Sequence, residues 1–189
     1  MRATADLSPT TDPLHDDAHA AGCRTLVDLY RLRAARQPEV IVYRFLPGPE
    51  VPELALSYAA LDRRARAIAR TIREHAAPGD RAILLFAPGL DYVAAFVACA
   101  YAGVVAVPAY PPHPRRPDER VPRIVADCEA RLALTSRALL GRLERWRASE
   151  PVIASLHWIA TDAIDEGASD GWEPAAVDEA SLAMLQYTS

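Results

Sequence analysis

The sequence predicts an α/β protein with a doubly wound, mainly parallel sheet and flanking helices. Segments 81–86 and 104–107 are almost entirely apolar, as expected for strands that are buried on both faces. Between them lies an apolar segment, 90–102, that is long enough for a helix. Strand-like and helix-like segments continue to alternate along the rest of the chain, which indicates right-handed crossovers between parallel strands.

The first elements precede this alternating region. Residues 1–23 lack apolar periodicity and are predicted to form a flexible leader, so that one partial domain is expected over 24–189. A helix is predicted from an N-cap at Thr25 to about Arg36, with Asp28 as a capping-box acid. Two β-rich runs, 40–46 and 54–58, flank a proline-rich loop and predict a hairpin-like pair.

A second helix is predicted from a cap at Ser57 to about His75, because its apolar residues repeat on one face. Its five arginines, at positions 63, 64, 66, 70 and 73, are expected to face solvent. Gly103 is the expected C-cap of helix 90–102. The remaining predicted elements are helix 120–128, strand 131–135, helix 136–147 capped by Ser136, strand 156–160 and a last strand at 182–187.

Composition excludes several functional classes. The 25 acids and 21 bases give a net charge of −4, which argues against a nucleic-acid binder because such proteins need a basic face. The chain contains no lysine. A Schiff-base enzyme and a self-contained P-loop are therefore both excluded, since each depends on a lysine side chain.

The cysteines and the charge pattern predict a cytoplasmic protein. Three widely separated cysteines, Cys23, Cys99 and Cys128, suit a reducing compartment better than a disulfide framework. Acidic residues occupy the N-terminal segment where a signal peptide would have its apolar core. The apolar stretch 82–110 is interrupted by glycine and proline into pieces too short to cross a bilayer.

Ligands of open parallel sheets bind beyond the carboxyl ends of the strands, so the loops there are the candidate sites. The loop after Phe86 lacks the GxGxxG pattern of a dinucleotide site. The loop 108–117 contains five prolines, one tyrosine, one histidine and two arginines. Such a stiff loop suits either a ligand or partner site or a rigid connection.

No catalytic or metal-binding residue is predicted from the residues themselves. His15, His19 and Cys23 have the spacing of helical metal ligands, but their segment has little helical character and offers no fourth ligand. The sequence contains no nucleophile elbow, HExxH motif or CxxC motif. A strand that ends in Thr188 and Ser189 is suited to enter an anion-binding loop, although two hydroxyls alone say little.

Two segments nevertheless resemble a known family. Residues 185–189, Leu-Gln-Tyr-Thr-Ser, resemble the opening of the phosphate-binding loop of adenylate-forming (AMP-dependent) synthetases. Residues 101–112, Tyr-Ala-Gly-Val-Val-Ala-Val-Pro-Ala-Tyr-Pro-Pro, are similar to the fatty acyl-AMP ligase branch of that superfamily. The resemblance extends from about Thr25 to Ser189.

This resemblance implies a two-step reaction that uses ATP and Mg²⁺. A fatty acid and ATP give acyl-adenylate and pyrophosphate, and the acyl group then passes to an acyl carrier protein of a polyketide or nonribosomal peptide assembly line. Thr188 and Ser189 map onto the ATP-contacting motif. The lysine of that loop, the Mg²⁺-binding acid and the mobile C-terminal domain of the family have no counterpart in the 189 residues.

We therefore expect an N-terminal fragment of such a ligase that is inactive alone and binds no cofactor by itself. The alternative is a non-catalytic module that holds an acyl chain or a carrier protein through loop 108–117. A nicotinamide dehydrogenase on the same class of sheet is a more distant alternative, because the glycine-rich turn after the first strand is missing.

Overall fold

The computed structural model describes residues 22–113 and 118–188, and most of the predicted leader lies outside these ranges. The helices are α1 Leu26–Arg36, α2 Tyr58–Arg73, α3 Leu90–Ala102, α4 Arg120–Cys128, α5 Arg137–Arg142, α6 Glu144–Ser149 and α7 Pro151–Ala154. The strands are β1 Ile41–Phe45, β2 Leu54–Ser57, β3 Arg81–Leu85, β4 Val105–Ala109, β5 Leu132–Thr135 and β6 His157–Ala160. Two 3₁₀ helices follow at Thr161–Ala163 and Glu166–Gly171.

The four later strands form one parallel sheet in the order β4-β3-β5-β6. The chain passes from β3 through α3 to β4, and α4 then carries it back across β3 to β5 on the other side. This reversal of direction confirms the predicted doubly wound sheet. Strands β1 and β2 form a separate antiparallel pair, as the hairpin-like pattern predicted.

Both faces of the sheet are buried, which explains why the middle of its strands is apolar. On β3, Ala82 and Leu84 belong to a cluster beneath α2 and α3, whereas Ile83 and Leu85 belong to a cluster beneath α4 and α7. Successive side chains of a strand point to opposite faces, so a strand between two helical layers favours apolar residues at successive positions. We refer to these two sets as the first and the second core cluster.

Local capping residues set the predicted helix boundaries. The Thr25 hydroxyl accepts a hydrogen bond from the backbone N–H of Asp28, and the Asp28 carboxylate accepts one from the N–H of Thr25, which completes a capping box. Ser57 and Ser136 cap α2 and α5 in a similar way. Gly103 ends α3 in the left-handed region with φ of 72°, where a side chain would be strained.

Two predicted elements are wrong. The helix predicted at 136–147 is divided into α5 and α6 at Leu143, a fully buried residue whose N–H is shared between the carbonyls of Leu139 and Leu140. The strand predicted at 182–187 is reduced to one parallel bridge between Met184 and Ala106. The outer edge of β4 continues from Ala106 to Pro108, which has no N–H to extend the ladder.

Arg63, Arg70 and Arg73 of α2 are exposed, as the sequence predicted. The same three arginines also hold segment 165–177, here called the strap, across the helix. Arg63 pairs with Glu166 at 2.8 Å, and Arg70 and Arg73 donate to the carbonyls of Ala168 and Glu173 at 3.2 and 2.9 Å. The arginine face of α2 is therefore a docking surface for the chain's own strap.

In the part of the chain that the structure describes, every helix is too short or too polar to cross a membrane. All three cysteines are free. Burial raises the pKa of the Cys99 thiol to about 12, so this thiol stays protonated and behaves as a core residue.

Candidate functional site

A cavity of about 880 Å³ lies where β3 and β4 end, at the carboxyl edge of the sheet. Five stretches line it: residues 86–88 after β3, Tyr92 of α3, residues 108–110 at the end of β4, one face of α4, and residues 186–188. This is the edge at which open parallel sheets bind their ligands. The cavity is therefore the candidate site.

The segment that carries Thr188 reaches the cavity along the outer edge of β4. The N–H of Ala106 donates to the carbonyl of Ala183 at 3.0 Å, and the N–H of Leu185 donates to the carbonyl of Ala106 at 2.9 Å. These two bonds direct residues 186–188 past the end of β4 and into the cavity wall. Thr188 is exposed there, whereas Ser189 lies outside the described residues.

Tyr187 is tied to α4 by its side chain. Its hydroxyl donates a hydrogen bond to the carboxylate of Asp127. This bond raises the pKa of Tyr187 to about 12, because losing the phenol proton would place two negative charges in contact. The phenol therefore remains a donor throughout the neutral pH range.

One wall of the cavity is apolar. It is formed by Phe86, Pro88, Tyr92, Tyr110 and Ile124, and the rings of Phe86 and Tyr92 meet edge to face with centroids 6.5 Å apart. Burial raises the pKa of the Tyr92 phenol, which stays neutral. Such a wall suits a hydrocarbon ligand.

Two arginines of α4 that have partners also line the cavity. Arg120 donates to the carbonyl of Tyr110 at 2.7 Å and lies 3.6 Å from Asp118, while Arg123 pairs with Glu119. The Asp118 carboxylate also accepts from the N–H groups of Arg120 and Val121, at 2.9 and 3.0 Å, and so caps α4. Arg120 is thus tied to the loop after β4, whereas the pair of Arg123 and Glu119 is exposed and holds the Arg123 guanidinium only weakly.

The structure brings only some of the predicted site residues together. Thr188 and residues 108–110 of the proline-rich loop line the same cavity, whereas residues 114–117 are outside the described ranges. His15 and His19 are also outside them, and no group of three metal-ligating side chains occurs among the described residues. No metal centre was predicted from the sequence.

Sequence reasoning missed the contribution of α4. Arg120, Arg123 and Asp127 follow a spacing of i, i+3 and i+7, which places them on one helix face towards the cavity. That periodicity is visible in the sequence and could have identified the face. Nothing local, however, indicates that Asp127 meets Tyr187, 60 positions further on.

The cavity offers part of what a nucleotide needs. The Thr188 hydroxyl is a suitable donor to a phosphate oxygen, and the apolar wall is a suitable surface for an organic group. The two arginines of the cavity already have acidic partners. The described residues therefore fit the rim of a phosphate site, with the compensation of a triphosphate's charge left to other groups or a cation.

Comparisons with known proteins agree with this geometry. The family described as AMP-binding enzyme matches residues 30–189. The chain is 37% identical over 169 residues to the medium-chain-fatty-acid–acyl-carrier-protein ligase JamA of Moorena producens, covering 87% of this chain and 28% of that protein. It is 36% identical over 137 residues to the long-chain-fatty-acid–AMP ligase FadD23 of Mycobacterium tuberculosis, covering 71% of this chain and 23% of that protein.

The fold of this chain also matches that of a solved structure. The fatty acyl-adenylate ligase of L. pneumophila, in complex with acyl adenylate and pyrophosphate, matches with a TM-score of 0.80 and 36% identity. The match covers 90% of this chain and 29% of that one. The chain thus spans between a quarter and a third of the length of JamA and of this ligase.

Proposed function

The chain belongs to the family of AMP-binding enzymes, and from this membership we propose that it is the N-terminal portion of a fatty acyl-AMP ligase. The observation that carries the proposal is the placement of Thr188 at the rim of a cavity with an apolar wall, at the carboxyl edge of a parallel sheet. Residues 24–189 then form the first part of the enzyme's N-terminal domain.

The proposed reaction joins a fatty acid to AMP. The carboxylate attacks the α-phosphorus of ATP, and pyrophosphate leaves with the electrons of the broken P–O bond. Thr188 and Ser189 contact the phosphates at the entrance of the ATP loop, with Mg²⁺ neutralising the triphosphate. Neither residue acts as a nucleophile or as a base.

The substrate and the partner belong to the same proposal. The apolar wall formed by Phe86, Tyr92 and Ile124 supports a hydrocarbon substrate. The acceptor is the phosphopantetheine thiol of an acyl carrier protein, a class that the name of JamA also includes. A cytoplasmic location is consistent with the free cysteines.

The test is fatty-acid-dependent exchange of pyrophosphate into ATP, measured on protein produced from the complete reading frame. We expect exchange with medium- or long-chain acids and Mg²⁺, and none with acetate. Replacing Thr188 with Val, which keeps the shape but removes the hydroxyl, is expected to lower kcat/KM for ATP about tenfold, because a hydrogen bond to a charged group is worth about 1.5 kcal/mol.

Thr71→Val is the matched control, since the Thr71 hydroxyl donates to a carbonyl within α2 and not to the cavity. Its exchange rate should equal that of the unchanged protein. A protein that gives no exchange with any fatty acid contradicts the proposed function.

A second candidate is a non-catalytic module that binds an acyl chain or a carrier protein. The cavity favours it, because the apolar residues Phe86, Tyr92 and Ile124 line it without any contribution from a nucleotide. This candidate predicts saturable binding of a fatty acid or a carrier protein to residues 1–189 without ATP. Calorimetry that detects no binding excludes it, whatever the result of the exchange assay.

A further inference from the structure

We propose that Asp127 is a positioning residue for the phosphate site, which it serves by holding the phenol of Tyr187 and thereby fixing the adjacent Thr188. This inference rests on the proposed function, since it assigns a role to Asp127 within that site. Asp127 itself touches no phosphate in this proposal. It acts through Tyr187.

The backbone of residues 186–188 has little support apart from the bond between Tyr187 and Asp127. Among the described residues, the last backbone bond between this segment and the sheet is the one from Leu185 to Ala106. The next outward position of β4 is Pro108, which has no N–H to offer. The sheet therefore cannot hold Thr188 by continuing its ladder.

Asp127 lies on a well-packed helix. Helix α4 is packed against the sheet through Val121, Ile124, Val125 and Cys128, which are all buried, and its first turn is capped by Asp118. This packing fixes the backbone of Asp127 about two turns along α4, while its side chain is exposed. A side chain that bonds to Asp127 is therefore anchored to α4.

The bond between Tyr187 and Asp127 has one possible direction. The charged groups of α4 that line the same cavity as Tyr187 are Arg120, Arg123 and Asp127, and the neighbouring Cys128 thiol is neutral at physiological pH because burial raises its pKa. Asp127 accepts and Tyr187 donates, so the bond forms in one orientation only. Tyr187 directly precedes Thr188 in the chain. Holding the phenol of Tyr187 in place therefore restricts the directions in which the Thr188 hydroxyl can point.

Fixed donors favour catalysis because their ordering cost is met before the substrate binds. Loss of the bond should therefore weaken the use of ATP while leaving the fold intact. Tyr187 is 37% exposed, so its bond to Asp127 contributes little to global stability. These two expectations distinguish a positioning role from a structural one.

The experiment compares Asp127→Ala, Asp127→Asn and Tyr187→Phe in protein from the complete reading frame. We expect Asp127→Ala and Tyr187→Phe each to raise KM for ATP about tenfold, with melting temperatures close to that of the parent. Asp127→Asn retains a carbonyl acceptor and should recover most of the loss. Combining Asp127→Ala with Tyr187→Phe should cost no more than either alone, because both remove one bond.

Backbone NMR relaxation provides a readout that does not need activity. The order parameters of residues 186–188 should be lower in Asp127→Ala than in the parent. Asp170→Ala, which removes an exposed carboxylate on the strap, is the matched control and should change neither these order parameters nor KM.

Three results overturn the inference. These are a KM for ATP within twofold of the parent in Asp127→Ala, additive losses in the double variant, or unchanged backbone order parameters at 186–188. If the parent protein shows no fatty-acid-dependent exchange of pyrophosphate into ATP, the proposed function itself is contradicted. That failure is distinguishable, because it is seen before any variant is compared.

Discussion

A buried polar group connects α2, α3 and the strap. The hydroxyl of Tyr101, itself fully buried, donates to the Asp62 carboxylate at 2.8 Å, and Arg66 pairs with the other carboxylate oxygen at 2.8 Å. The ring of Tyr101 stacks on Trp172 with centroids 4.8 Å apart, and the guanidinium of Arg66 lies over the same indole. Asp62 is tolerated inside because both its oxygens are satisfied.

Replacing Tyr101 with Phe tests this group. The change keeps the stacking ring but leaves one oxygen of Asp62 with no partner, so we expect a loss of about 1.5 kcal/mol in the free energy of unfolding. Urea titration measures it. Tyr110→Phe is the control, because Tyr110 is 78% exposed. This change should alter the free energy of unfolding by no more than about 0.5 kcal/mol. Equal effects of the two changes would contradict the role of the buried bond.

His75 and His157 form a second residue-scale feature, with stacked rings whose centroids are 3.7 Å apart. Burial lowers the pKa of His157, and the charge of His75 lowers it further. A histidine whose folded pKa is depressed favours the neutral form. Its contribution to stability is therefore present above pH 6.5 and is lost as the pH falls through the folded pKa.

His75→Gln removes one of these two causes. We expect the pKa of His157 to move back towards 6.5 without reaching it, because the effect of burial remains. Stability should then fall less steeply as the pH drops below 6.5. An NMR titration of the imidazole signals measures the first expectation, and an unchanged His157 midpoint would contradict it.

At the scale of elements, the end of α3 depends on Gly103. A Cβ at this position would lie 3.0 Å from the Cβ of Ala175 and 3.2 Å from that of Pro78, in a backbone conformation that disfavours side chains. We therefore expect Gly103→Ala to lower the free energy of unfolding by about 2 kcal/mol.

Gly141 supplies the opposite case on the same scale. It lies inside α5, and a Cβ there would meet nothing within 4 Å. Gly141→Ala should therefore stabilise the protein by about 0.5–1 kcal/mol, because alanine favours the helix. Thermal unfolding of both variants measures the difference. A stable Gly103→Ala protein would show that the strap residue Ala175 moves away freely.

The sequence was sufficient for elements with strong local signals. Capping residues and apolar periodicity predicted α1, α2, α3 and α4 closely, and continuous apolar runs predicted the parallel strands. Prediction failed where long-range contacts decide. The split at Leu143 depends on burial, and the loss of the last strand depends on Pro108 in another strand.

The location of the cavity was predictable, because it lies at the edge that a doubly wound sheet predicts. Thr188 lines this cavity, and its contact with ATP stays a prediction from the motif. The bond between Asp127 and Tyr187 was not predictable, and nor were the strap contacts of Arg63 and Arg70, which join residues 103 and 98 positions apart. A side-chain contact across such distances leaves no periodic signal in one sequence.

At the scale of the whole molecule, one sheet separates the two core clusters. We therefore expect that neither cluster stays folded when the other unfolds. Leu84 and Leu85 are adjacent on β3, both fully or almost fully buried, and they point to opposite faces. Replacing either with Ala is expected to cost about 3 kcal/mol, from lost burial and the cavity left behind. Leu46→Ala, at a position 72% exposed, is the control and should cost little.

The three tryptophans allow the coupling between the clusters to be measured. Trp172 packs against the first cluster, while Trp146 and Trp158 pack against the second. In variants that keep tryptophan on one side only, fluorescence should give the same unfolding midpoint, because β3 is a wall of both clusters. Leu84→Ala should lower the unfolding midpoint reported by the tryptophans of the second cluster as much as the midpoint reported by Trp172 in the first. Separate midpoints would mean that each helical layer unfolds from the sheet independently, and the sheet would then not be one cooperative unit.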